Sequence, residues 1–219
     1  MTRKLSLLVA ASSLAILATL PALAQEVRGK REGDLVLGAS LLGAFPMDGG
    51  SVQAIGGTPS ASNTVTPQLD LSYFFTPNLA LNVIAATTRH DVEVKGSALG
   101  VVDLGRVWLL PPTVTLQYHF MPTSRFSPYL GAGVNYTVAY GEGGSRTSPV
   151  ADVDVKNAWG WALNAGIDVE LSQRWVLNLD VKKLYLRPDV AVTTSAGGRI
   201  NATTELDPWL IGLGVRYRF

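Results

Sequence analysis

Cysteine is absent from the 219 residues, so no disulfide braces the chain. Charge is scarce as well. Asp, Glu, Lys and Arg make up 16% of the chain, against about 25% in ordinary soluble domains. Eighteen cations against 17 acids leave a formal charge of +1. With no basic run, nucleic acid is excluded as a partner. Histidine occurs only at His90 and His119. Neither sits near a G-x-S-x-G serine, and no His/Cys cluster has zinc spacing. "GEGGS" (141–145) lacks the Lys-Ser/Thr that completes a phosphate loop. Neither catalysis nor a metal or cofactor is expected. Beyond residue 24 no run reaches 18 apolar residues, so no helix crosses a bilayer. Yet 47% of the chain is hydrophobic.

The first 24 residues hold one part of that apolarity. Arg3 and Lys4 precede an uncharged run from Leu5 to Leu20, and Ala22-Leu23-Ala24 forms an A-x-A cleavage site. This is a secretory signal peptide (1–24) with the mature chain beginning at Gln25. A retained anchor fits less well, because the run is shorter than the roughly 20 residues that span a bilayer.

The rest lies in eight segments of period-2 alternation, over 34–45, 65–75, 79–86, 108–120, 129–140, 159–171, 175–182 and 209–219. In each, one parity is apolar and the other small or polar. A soluble sandwich also alternates, but two features argue against one. The segments approach the 9–11 residues needed to cross a bilayer. The non-apolar parity is small and glycine-rich, as the inside of a narrow barrel requires. Aromatics gather at segment ends, as in the double girdle of an outer-membrane barrel. Connections alternate between short turns (76–78, 121–126, 172–174) and long loops (46–64, 91–106, 141–157, 187–205). The expected fold is all-β: an eight-stranded antiparallel transmembrane barrel over 25–219, with short periplasmic turns and long extracellular loops. Its expected location is the outer membrane of a Gram-negative bacterium. Its closed sheet would satisfy every backbone group in lipid.

"LLPPTVTLQYHF" (109–120), "SPYLGAGVNYT" (127–137), "NAWGWALNAGIDVELSQRWVLNLDVK" (157–182) and "LDPWLIGLGVRYRF" (206–219) resemble the OmpW family of small outer-membrane proteins. "YFFTPNLALNVIAATTRHDVEVKG" (73–96) resembles it more loosely. The resemblance implies an eight-stranded barrel and, through the similar alkane-uptake proteins, passage of small hydrophobic molecules with exit through the barrel wall. It also implies that the terminal strand, with Trp209, Tyr217 and Phe219 on one face, is read by the barrel-assembly machinery after delivery by periplasmic chaperones. A non-transporting structural or receptor barrel, acting through its loops, is the alternative.

Eight strands leave room only for side chains or one small ligand. Of the inward parity, Asp70, His119, Asp168, Glu170, Asp180, Arg216 and Arg218 fall near the periplasmic end, with Lys182 somewhat higher. They are expected to form a paired polar plug, since buried charges without partners cost several kcal/mol each. Leu42, Ile84, Leu109, Pro111, Leu184 and Leu210 fall nearer the outside and are expected to line an apolar ligand path. Pro111 and Pro112 each remove a ladder donor. They mark either a bulge or a lateral gap in the wall.

Overall fold

The computed structural model describes residues 26–47, 49–52, 56–143 and 150–219. The expected leader (1–24) lies outside them. Fifteen strands follow one another among the described residues: β1 (Leu35–Phe45), β2 (Gly50–Val52), β3 (Thr58–Ala61), β4 (Thr64–Phe74), β5 (Leu79–Ala86), β6 (Thr88–Ser97), β7 (Gly100–Leu110) and β8 (Thr113–His119) in the first half. The second half holds β9 (Phe126–Gly143), β10 (Val150–Val155), β11 (Ala158–Glu170), β12 (Trp175–Leu186), β13 (Asp189–Thr194), β14 (Arg199–Thr204) and β15 (Trp209–Arg218).

Eight of them close a ring, β1-β4-β5-β8-β9-β11-β12-β15 and back to β1, every pair antiparallel. Closure follows from the alternation. Leu41, Val65 and Leu69 are more than 60% exposed on the outer face, while Ser72, Asn82 and Gln117 are buried on the inner one. Such an apolar exterior is stable only against lipid. The girdles frame it. Tyr73 with Phe75, Tyr118 with Phe120, and Trp175 with Tyr217 pack edge to face at 5.0–5.2 Å near the short turns. Trp108 with Tyr140 and Tyr136 with Trp159 lie at the other rim.

Narrowness constrains the wall. A Cβ added at Gly133 would meet the backbone of Val114, and the Thr115 Cα at 2.7 Å. Gly133→Val is therefore expected to reduce sharply the fraction of chain that folds, read as loss of the heat-modifiable band on a gel. A normal yield of folded barrel would refute this.

The long connections hold more order than their polar composition suggests. β6 and β7 form a hairpin that rises beyond the barrel, with β3 on its edge. β10, β13, β14 and β2 form a second sheet. Val52, Val94, Val102, Leu104, Val153 and Val192 pack together between the two, a core separate from the barrel's own. The outer mouth is thus a small folded cap.

The segment expected over 108–120 is divided. Trp108–Leu110 end β7, and the barrel strand proper begins at Thr113. The proline pair sits at the division. Ile84 pairs with Thr113 below it and Thr88 with Leu109 above it, which is one unbroken register. A bulge would shift that register, so the prolines interrupt the ladder without bulging it.

Candidate functional site

The interior is built in layers from the periplasmic end upward. The residues before β1 form the lowest. The backbone N–H groups of Arg28 and Gly29 donate to the Glu170 carboxylate at 2.7 and 3.2 Å. The Arg28 guanidinium pairs with Asp34 through two bonds of 2.7 and 2.8 Å. Lys30, nearly fully buried, reaches 3.1 Å from Asp168. Sequence reasoning missed this segment, which folds under the barrel as part of the plug.

Above it lie the expected plug residues, all buried. Arg216 places Nε 2.9 Å from Asp70 and Nη1 3.2 Å from Asp168. Arg218 spans Asp34 and Glu170 at 3.5 and 3.3 Å. Asp180 accepts from Lys182, from the Tyr129 hydroxyl at 2.7 Å and from Asn164 at 2.8 Å. Arg28, Lys30, Lys182, Arg216 and Arg218 thus face Asp34, Asp70, Asp168, Glu170 and Asp180, five charges of each sign. The interleaving offsets the desolvation that would expel any one of them. Gly166 makes room for Tyr129, because a Cβ there would collide with the phenol ring. His119 is held between the rings of Phe74 and Tyr129, with centroids at 5.0 and 4.8 Å. Its Nδ1 is 3.8 Å from Asp168, beyond hydrogen-bond reach. It packs there as an aromatic plate.

A dry layer covers the plug. Leu42, Ala44, Ile84, Ala86, Ala162, Leu184 and Leu210 form one buried cluster. Above this floor opens a pocket enclosing about 780 Å³, its open mouth included. Of the expected ligand-path residues, Leu109, Pro111, Leu184 and Leu210 line it. Leu42 and Ile84 do not; they lie in the packed cluster beneath. Pro112 is half-buried in the wall and does not line the pocket either. Much of the remaining lining comes from the cap, through residues such as Pro59, Val92, Val155 and Val190, with Leu186 at the top of β12. Its few polar side chains include His90, whose Nδ1 lies 2.6 Å from the Ser62 carbonyl. Burial holds the His90 imidazole below its ordinary pKa, so the ring is neutral near pH 7.

The wall beside this pocket is weakly stitched at the junction of β5 and β6, at Thr87. Ladder pairing fails on both flanks. Toward β8, nothing pairs between Ile84↔Thr113 and Thr88↔Leu109. Strand parity aims the missing donor of Pro111 at this flank. The Pro111 carbonyl accepts from the Thr113 hydroxyl at 3.0 Å. Pro112 faces the other way, toward β9, where its carbonyl accepts from the Tyr136 N–H and from Asn135 Nδ2, both at 3.1 Å. Toward β4, pairing stops at Gln68↔Ala86 and resumes only at Ala61↔Val92 between β3 and β6. There Pro67 falls opposite Thr87 by continuation of the register. The Thr66 hydroxyl donates to the Thr87 carbonyl at 2.8 Å, a side chain standing in for the backbone. Sequence reasoning found Pro111 but missed Pro67, although a proline within an alternating run was the same signal.

At the terminal strand, Trp209 and Phe219 are exposed to the lipid side. Tyr217 packs edge to face against Phe219 at 5.0 Å. The Phe219 N–H donates to the Leu35 carbonyl at 2.9 Å, sewing the C-terminus to β1.

Comparison with known proteins agrees with this geometry. The OmpW family model matches residues 31–219. An outer-membrane protein from Sinorhizobium fredii is 43% identical over 81% of this chain and 76% of its own length. Outer membrane protein W of Vibrio cholerae is 34% identical over 94% of this chain and 97% of its own. The crystal structure of OprG from Pseudomonas aeruginosa superposes with a TM-score of 0.81 at 25% identity, covering 88% of this chain and 99% of that one. A closed eight-stranded barrel with lipid-facing apolar walls, matched by the family model over nearly its whole described length, places the chain in the outer membrane as a member of the OmpW family.

Proposed function

We propose that the chain admits small hydrophobic molecules from outside into the apolar pocket and releases them sideways into the membrane at the β5–β6 junction. It acts as a passage and not as a catalyst. The observation that carries this reading is the layering. An apolar pocket opens outward, and beneath it lie a dry floor and a salt-bridged plug. A lining this apolar suits an apolar ligand. Charged layers below oppose its straight descent to the periplasm, and the wall at Thr87 lacks ladder pairs on both flanks.

Leu109→Asp and Leu210→Asp test the pocket. A carboxylate on the lining should cut uptake of a hydrophobic probe into cells or vesicles about tenfold or more, because either the acid or the ligand is left badly solvated. Unchanged uptake in both variants would sink the reading. It would leave the second one, a structural or receptor barrel acting through its extracellular cap, which the ordered double-sheet mouth favours. For assembly, the outward face of Trp209 and Phe219 fits recognition by the barrel-assembly machinery, with periplasmic chaperones carrying the unfolded chain to it.

A further inference from the structure

We propose that the pocket selects, among apolar molecules, those carrying one neutral hydroxyl, and that His90 is the side chain that recognises it. This rests on the reading that the pocket takes up hydrophobic molecules, and it names the class within them.

Polar side chains are few on the lining: Ser60, Thr88, His90 and Thr137. Three have their polar atoms engaged with neighbours. The Thr88 hydroxyl donates to the Leu109 carbonyl at 3.4 Å. The Thr137 hydroxyl donates to Asn135 Oδ1 at 2.7 Å. Ser60 Oγ accepts from Lys95 Nζ at 3.0 Å. His90 differs. Its Nδ1 faces a carbonyl oxygen, which only accepts, so Nδ1 carries the proton. In the neutral ring the lone pair then lies on Nε2. His90 is 4% exposed and lines the pocket, so a ligand filling the pocket meets this basic acceptor among apolar walls. An acceptor shut off from water by a bound ligand gains most when that ligand donates to it.

The partner chemistry follows. A hydrocarbon leaves Nε2 unmet. A carboxylate brings only further lone pairs toward it, and Asp91, Glu93 and Asp103 line the adjoining surface hollow beside Lys95. An alcohol or phenol supplies the one proton needed while its body fills the apolar walls. The local fold holds the ring in this tautomer. The Ser62 hydroxyl accepts from the Asp91 N–H at 2.9 Å, and the Ser62 N–H donates to the Asp91 carbonyl at 2.9 Å. Ser62, and with it the carbonyl that orients His90, is thereby pinned to β6.

The test uses the full mature barrel in phosphatidylcholine nanodiscs and three probes of one shape: naphthalene, 1-naphthol and 1-naphthoate. Affinities are corrected for partition into empty nanodiscs. The wild type should bind 1-naphthol about fivefold tighter than naphthalene, the size expected of one net hydrogen bond, and 1-naphthoate weakest. His90→Phe should bind naphthalene and 1-naphthol equally. His90→Gln, which restores a side-chain acceptor, should recover part of the preference. Because His90→Phe can also disturb the cap, the wild-type imidazole is read directly. 1-Naphthol should shift the 15N resonance of His90 Nε2, and naphthalene should not. Equal binding of the two neutral probes by the wild type, or a preference that survives in His90→Phe, overturns the hydroxyl inference and leaves the passage reading standing. Failure of all three probes to bind overturns both.

Discussion

Arg216→Met is expected to cost the barrel about 3–5 kcal/mol of folding stability, the usual result of stripping one partner from a buried charge cluster. The methionine keeps the stem of the arginine and fills similar space, so packing changes little. What changes is the charge. Asp70 loses its partner at 2.9 Å and Asp168 one of its two strong ones. Lys30 remains at 3.1 Å from Asp168, but the other cations are held by Asp180, Asp34 and Glu170. Urea unfolding from lipid vesicles, followed by tryptophan fluorescence, should show the midpoint drop. Asp70→Asn made in the same chain should recover a part of the loss, because it removes the carboxylate that was stranded. An unchanged midpoint in Arg216→Met would mean that water reaches the cluster and that it is no sealed plug.

The sequence made this cluster visible only in part, for a physical reason. Residues on strands are placed by parity, and Asp168, Glu170, Asp180, Lys182, Arg216 and Arg218 share the inward parity of their strands. The segment holding Arg28 and Lys30 has no period and no apolar face. A hint lay in the charge: four inward acids against three inward cations called for one more positive group, and Lys30 supplies it. The barrel strands were legible because lipid on one side and a narrow lumen on the other impose opposite demands on successive residues. The cap strands were not. "VADVDV" (150–155) and "DVAVTT" (189–194) alternate too, but they are six residues long and rich in Asp and Thr. Runs of that kind read as loops. Their valines join Val52, Val94, Val102 and Leu104 from the other two connections to form a core, and long-range packing of that sort leaves no local signature. The same limit explains Leu42 and Ile84. Parity and height place them correctly inside and high, but whether a leucine lines space or fills it depends on the neighbours it meets.

Replacing Pro111 with Val and Pro67 with Thr should slow uptake of a hydrophobic probe about tenfold while leaving the barrel folded. The two prolines aim their missing donors at the same stretch of chain, Ala86 and Thr87, from opposite sides. Each substitution returns one N–H: at Pro111 within the register that joins Ile84↔Thr113 to Thr88↔Leu109, and at Pro67 one step beyond the last β4–β5 pair, Gln68↔Ala86. A restored bond adds about 0.5–1.5 kcal/mol net. Two of them make separation of the wall harder by about 1–3 kcal/mol, and the open population falls exponentially with that cost, tenfold for about 1.4 kcal/mol. Pro112→Val is the control, because its donor points toward β9, where Tyr136 and Asn135 already hold the Pro112 carbonyl. It should leave uptake near the wild-type rate. The comparison therefore separates a gap in the wall from general stiffening of the strand. Equal slowing by all three substitutions would indicate stiffening alone. Unchanged uptake in the Pro111 and Pro67 double variant, with its heat-modifiable band intact, would show that molecules leave the pocket by some route other than the β5–β6 junction.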